Sequence, residues 1–158
     1  MGRKSTFYDQ QFNAPDRDSD DPGDFELNLV FIAMSFEGKE MDDVYSAIKD
    51  ECMKLKLKPK RVDENIGSGF IIHEITDFIE RAEFIIFDLT NERPNVYYEL
   101  GYAHGVGNEA MDILLIAKEG TKLHFNIAPL RVQYYRSTED LRQIISSNLK
   151  KMIRATRR

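Results

Sequence analysis

The sequence predicts a three-layer α/β/α domain around a five-stranded, mainly parallel sheet. Two observations carry that prediction. Short apolar, β-branched runs recur along the chain, as strands buried on both faces require. Between them lie longer segments whose apolar residues repeat at helical spacing. Strands alternating with helices imply a parallel sheet covered on both sides.

The regular pattern begins near residue 25. LNLVFIAMSF (27–36) reads as the first strand. Met41, Val44, Ile48, Cys52 and Leu55 then mark a helix over roughly 39–56. PKRVDE (59–64) reads as a short second strand, followed by a loop around Gly67-Ser68-Gly69. Ile71, Ile72, Ile75, Phe78, Ile79 and Ala82 form the next helical stripe, and FIIFDLT (84–90) is a third buried strand. A helix over about 95–108 leads into DILLIAKE (112–119), and RVQYY (131–135) is the fifth strand. Ser137 offers an N-cap with Asp140 three residues on, ahead of Leu141, Ile144, Ile145, Leu149 and Ile153. Right-handed crossovers then favour a flavodoxin-like strand order, 2-1-3-4-5.

At 158 residues the chain is long enough for one domain with its own core, assigned here to 25–158. Residues 1–24 include the polar, acidic run DRDSDDPGD and are expected to form a flexible N-terminal arm. The net charge of −5 argues against a nucleic-acid polymer as partner, and the basic end KKMIRATRR reads as a solvated tail. No run approaches a membrane span, and the single cysteine, Cys52, fits a reducing compartment, so a cytoplasmic protein without a membrane partner is expected. Cys52 falls on an apolar helical stripe and reads as a core residue.

Ligands of such sheets bind beyond the carboxyl ends of the strands. That edge gathers Ser35, Phe36 and Glu37 after the first strand, Asp63 and Glu64 after the second, and Asp88 and Thr90 after the third. The sequence AMSFEGKE there lacks a dinucleotide-binding fingerprint, and no Walker A loop is present. Asp88 occupies the place of a receiver-domain phosphoacceptor, but the first strand ends without the acidic pair of that family. His73, His104 and His124 lie in three segments with no metal-ligand spacing, so neither a metal nor a cofactor is expected.

The segment RPNVYYELGYAHGVG (93–107) then holds the attention. With Asn95 as cap, Glu99 stands in the first helical turn, where the helix dipole favours an anion. At ~100° per residue Glu99 lies about 60° from the stripe of Val96, Leu100, Ala103 and Gly107, so it borders the cleft. Asp88, ending the preceding strand, is expected as its near neighbour. Paired carboxylates can divide the work of breaking an N-glycosidic bond, whose transition state is oxocarbenium-like. Tyr97 and Tyr98 offer flat surfaces for a base or for core packing, and the glycine-flanked Ser68 precedes a helix that could hold a phosphate. Gly101, Gly105 and Gly107 suggest that a ligand or another helix comes close.

The acidic pair Asp63-Glu64, the triplet Arg81-Ala82-Glu83, the strand end Asp88-Leu89-Thr90 and the run Arg93-Pro94-Asn95-Val96-Tyr97-Tyr98-Glu99-Leu100-Gly101-Tyr102-Ala103-His104 together resemble the nucleoside 2-deoxyribosyltransferase-like superfamily. They resemble most closely its bacterial TIR-like, predicted nucleotide-binding members, over roughly residues 28–135. The 2′-deoxynucleoside 5′-phosphate N-hydrolases are similar in the same Tyr-Glu-Leu-Gly stretch. The resemblance implies that Glu99 is the nucleophile attacking C1′ of the sugar and that Asp88 positions or protonates the substrate. It further implies that Ser35 and Ser68 contact phosphate or sugar. Phe36, Asp63, Thr90, Asn95 and Tyr98 complete the substrate-binding candidates. Two features depart from the pattern. Arg93 stands where many relatives have a small or polar residue, and the loop Ser35-Phe36-Glu37-Gly38 lacks the usual glycine-rich form.

The expected activity is therefore N-glycosidic cleavage of a nucleotide or NAD, by hydrolysis or base transfer, in a homo-oligomer. The alternative is a non-catalytic TIR-like module that senses a nucleotide or self-associates, as in bacterial defence signalling.

Overall fold

The computed structural model describes residues 25–62, 71–124 and 130–157, with the backbone alone described at 71–73. Residues 1–24 lie outside the described residues, as do Asp63, Glu64 and the Gly67-Ser68-Gly69 loop. Five parallel strands form one sheet in the order β2-β1-β3-β4-β5. They are β1 (Glu26–Ala33), β2 (Lys58–Lys60), β3 (Ala82–Asp88), β4 (Ile113–Lys118) and β5 (Val132–Tyr135). The described helices are α1 (Lys39–Lys54), α2 (Ile71–Arg81), α3 (Pro94–Gly105) and α4 (Thr138–Thr156).

Strand alternation sorts the core into two layers. Val30 and Ile32 of β1, Met34 just after it, and Phe84 and Ile86 of β3 pack under α1 and α4, through Val44, Ile48, Leu141 and Ile145. Leu29, Phe31 and Ala33 with Ile85 and Phe87 pack under α2 and α3, through Ile79, Val96 and Leu100. Both central strands are therefore buried on both sides, which is why they read as continuous apolar runs. Cys52 is buried in the first layer, and burial pushes its thiol up to about 12, so it stays an uncharged core residue.

Three boundaries differ from the sequence expectation, each for a local reason. β2 is only Lys58-Pro59-Lys60, an edge strand whose proline and lysines discourage further pairing. Arg61 and Val62 lie beyond it. α3 begins at Pro94 with Arg93 as its cap residue, because proline's fixed φ suits the first helical position. Asn95 is thus the second helical residue, not the cap. At the other end, the N–H of Asn108 bonds Ala103 O at 3.1 Å and that of Gly107 bonds His104 O at 3.2 Å. This is a Schellman stop, and Gly107 holds φ 96°, a left-handed conformation that favours glycine. The Ser137 cap is as expected, its Oγ accepting the Asp140 N–H at 3.1 Å.

The other two glycines of α3 are a different matter. A Cβ at Gly101 or Gly105 would meet nothing within 4 Å. No described element approaches them, so they serve no packing among the described residues. Gly101→Ala is therefore expected to raise stability by about 0.5–1 kcal/mol, read as an increase in the urea midpoint. A concentration-dependent loss of stability would instead mark this face as an interface between copies.

Candidate functional site

β1 leads outward to β2 on one side, and β3 leads to β4 and β5 on the other. The switch point thus falls between the carboxyl ends of β1 and β3, where sheets of this class take ligands. A cleft of about 250 Å³ opens there. The segment after β1 contributes Met34, Ser35, Phe36 and Glu37, and the start of α3 contributes Arg93, Pro94, Asn95 and Val96. Of the residues predicted from sequence, Ser35, Phe36 and Asn95 are brought together in this lining. Ser35 is buried, and its Oγ accepts the Glu37 N–H at 3.2 Å. Glu37 and Arg93 form an ion pair between the two walls.

Glu99 does not line the cleft itself. It is 5% exposed, on the buried face of α3 with Val96, Leu100 and Ala103. Asn95 and Val96 precede it by four and three residues, so both stack on its side of the helix. Helical Cα–Cβ bonds tilt toward the N-terminus, which aims Glu99 at the turn that forms the cleft wall. As the sixth residue of α3 it stands in the second turn, and no acidic residue occupies the first. Helix-dipole stabilisation falls off beyond the first turn, so that simple explanation for the carboxylate loses its basis.

Asp88 is placed differently from the expectation. By strand parity it shares the side of Phe84 and Ile86, under α1 and α4, whereas α3 covers the opposite side. Its Oδ2 accepts from the Tyr135 hydroxyl at 2.9 Å, and its Oδ1 accepts both the Thr90 N–H, at 2.8 Å, and the Thr90 hydroxyl. Thr90 Oγ1 also accepts the Lys118 N–H at 3.0 Å. Asp88 and Thr90 therefore pin the segment between β3 and α3 to β4 and β5. The expected side-by-side pairing of Asp88 with Glu99 is not what the fold builds.

Burial pushes the Asp88 carboxyl above its ordinary value of 3.8, against the hydrogen bonds from Thr90 and Tyr135 that pull it down, and Glu40 adds to the rise. Burial and then the neighbouring Asp88 likewise push the Tyr135 phenol up. A raised folded-state value means that the folded protein holds this proton more tightly than the unfolded chain. The stability it contributes is complete below 3.8 and is lost as pH rises through the raised value. Asp88→Asn does not titrate, so its stability relative to the parent should increase across that window, as urea unfolding from pH 4 upward would measure. A pH-independent difference would contradict the assignment.

The segment before α3 is held on its other side too. Glu92 takes φ 44°, uncommon for a residue with a side chain. Its Oε1 accepts from the Tyr97 hydroxyl at 2.8 Å and from the His124 N–H at 3.1 Å. Tyr97 is thus a half-buried brace, while Tyr98 is 62% exposed and outside the cleft lining.

Sequence reasoning missed two contributors. Arg61 lies between two rings, its guanidinium carbon 4.2 Å from the Phe36 centroid and 4.0 Å from that of Tyr45. This stack backs the aromatic wall of the cleft. Tyr135 fixes Asp88. Neither has a local signal, because each acts on a residue from a distant strand or helix. Among the described residues, no three His, Cys, Asp or Glu side chains gather where they could hold a metal ion. Among the described residues, no helix is long and apolar enough to cross a membrane.

Neither a protein-family model nor a curated protein sequence matches the chain. Solved structures do. The CMP N-glycosidase of Clostridium botulinum superposes with a TM-score of 0.61 at 16% identity, over 75% of this chain and 98% of that one. A variant of the flavo di-iron protein from Thermotoga maritima gives 0.61 at 17% identity over 83% of this chain. The match spans only 37% of that longer protein. A diflavin flavoprotein from Nostoc sp. gives 0.55 at 11% identity, over 82% and 94% of the two chains. The fold is flavodoxin-like. It is also the fold of a nucleotide N-glycosidase, and identities this low carry the likeness no further than the fold.

Proposed function

We propose that the protein is a nucleotide N-glycosidase in which Glu99 attacks C1′ of the sugar. The observation that carries this reading is a buried carboxylate, Glu99, one helical turn after Asn95 and Val96, which line a cleft at the switch point. The likeness in fold to a CMP N-glycosidase supports it. At about 250 Å³ the cleft falls just short of common small-molecule pockets, so it takes the sugar-phosphate end of a nucleotide.

In this reading Ser35 and Asn95 hold the sugar and phosphate oxygens from opposite walls, with Arg93 available to an anion once it leaves Glu37. The ring of Phe36, stiffened by Arg61, lies against the base. The Glu99 carboxylate forms a bond to C1′ while the N-glycosidic bond breaks, and its electron pair leaves with the base, which takes up a proton. Water then cleaves the glycosyl ester in a hydrolase, or a second base does so in a transferase. Asp88 is a positioning residue here, acting through Thr90 on the segment that launches α3. Asp63, Ser68 and Tyr98 remain further substrate contacts in the proposal, and a TIR-like kinship and a homo-oligomeric assembly belong to it as well.

The test is incubation with NAD and a panel of ribo- and deoxynucleotides, with free base followed by chromatography. Base release that vanishes in Glu99→Gln supports the enzyme. Absence of release, with a nucleotide-induced thermal shift that survives Glu99→Gln, would replace it with a sensor.

A further inference from the structure

A second cavity, of about 510 Å³, lies far from the switch point, between α1 and α4. Its cations outnumber its carboxylates. Lys54 is paired with Glu51 at 2.7 Å, and Arg142 with Asp50 at 3.1 Å. Lys150, Lys151 and Arg154 also line the groove, are exposed, and pair with no carboxylate among the described residues. The dipole of α4 accounts for a cation in its last turn, which is Arg154, but not for the two lysines a turn earlier.

These three cations sit near the point where the N-terminal segment joins the domain. Arg157, directly after α4, donates from Nη2 to Asn28 Oδ1 at 2.7 Å, and Asn28 is three residues beyond Phe25, the first described residue. Residues 16–24 carry five aspartates and one arginine. Extended at ~3.3 Å per residue, these nine residues span roughly 30 Å. From Arg154 back to Glu139, α4 is only about 22 Å long at 1.5 Å per residue, so the segment reaches the whole groove.

We infer that the groove between α1 and α4 is the docking site of the chain's own acidic segment, residues 16–24, whose aspartates pair with Lys150, Lys151 and Arg154. Charge and reach both favour this occupant, since the segment is tethered beside the groove at high effective concentration. Docking would make the arm a salt-sensitive strap across the two helices, on the side of the sheet away from α2 and α3.

The experiment uses the full chain with a nitroxide attached at Ser19→Cys, since Cys52 is buried and unreactive. Amide signals of residues 146–154 are expected to lose more than half their intensity at low salt. They should recover at roughly 0.5 M salt, where screening acts over only about 4 Å. The triple change Lys150→Glu, Lys151→Glu and Arg154→Glu should abolish the broadening, and so should replacement of the five aspartates by asparagine. Undisturbed signals at low salt would overturn the inference, as would broadening that survives both sets of changes. If broadening appears only between labelled and unlabelled copies in a mixed sample, the occupant is a second chain's arm and the intramolecular strap is wrong.

Discussion

Glu99→Gln is expected to reduce base release by about 10³-fold while leaving the fold intact. The size follows from the proposed role. A carboxylate that both forms the bond to C1′ and faces the developing positive charge contributes at least as much as a single preorganised electrostatic group, worth about 10²–10³ in rate. Each tenfold loss corresponds to about 1.4 kcal/mol of transition-state stabilisation. Glutamine keeps the shape and removes the charge, so packing beside Val96, Leu100 and Ala103 is preserved. The residue is only 5% exposed, and the amide keeps a hydrogen-bonding group in the same place, so the urea midpoint should change little. The decisive pattern is a fall in kcat with KM nearly unchanged, because the lost interaction belongs to the transition state. Loss of folding together with activity would show instead that Glu99 serves the core. An unchanged rate would remove it from the chemistry altogether. Ser35→Ala should act in the other sense, raising KM more than it lowers kcat, because its hydroxyl borders the cleft wall.

What the sequence revealed, and what it concealed, follows from the range over which each feature is determined. Strand order and the two-sided burial of β1 and β3 were legible because residue type along a single segment decides them. The placement of Ser35, Phe36 and Asn95 at one cleft followed from topology alone. The relation of Asp88 to Glu99 did not. Both residues end up near the carboxyl edge, but which side of the sheet a strand residue faces depends on register, and one residue of parity reverses it. Likewise Asn95 and Arg93 compete for the cap position, and Pro94 decides in favour of Arg93 through a backbone constraint stronger than asparagine's capping preference. Arg61 was invisible because a cation between two rings needs Phe36 and Tyr45, which precede it by 25 and 16 residues. The open space that the described residues leave beside Gly101 and Gly105 was equally hidden, since it leaves no mark on the glycines themselves.

The largest stability effect outside the apolar core is expected at the opposite end of the sheet. Glu83, the second residue of β3, is 4% exposed, yet it is half of an ion pair. Arg157 grips it with two nitrogens, Nε to Oε1 at 2.8 Å and Nη2 to Oε2 at 2.7 Å, while the N–H of Asn28 donates to Oε2 at 2.6 Å. Asn28 holds φ 72° at an irregularity in the pairing of β1 with β3, so the carboxylate satisfies a backbone donor that the ladder leaves over. The fork of a guanidinium matches a carboxylate in a way that a lysine cannot. Removing the two partners has unequal consequences. Arg157→Ala strands a buried carboxylate with one remaining donor, which costs about 3–5 kcal/mol when water is excluded. The arginine side chain is 35% exposed, so water can enter where it stood, and about 2–3 kcal/mol is the expected loss. Glu83→Ala lets the arginine turn into solvent and leaves only the Asn28 N–H unsatisfied, at about 1–2 kcal/mol. Arg157→Lys should fall between, keeping the charge without the fork. Urea unfolding of the three variants tests the order. A Glu83→Ala protein less stable than Arg157→Ala would mean that the backbone at Asn28, and not the buried charge, governs this end of the fold.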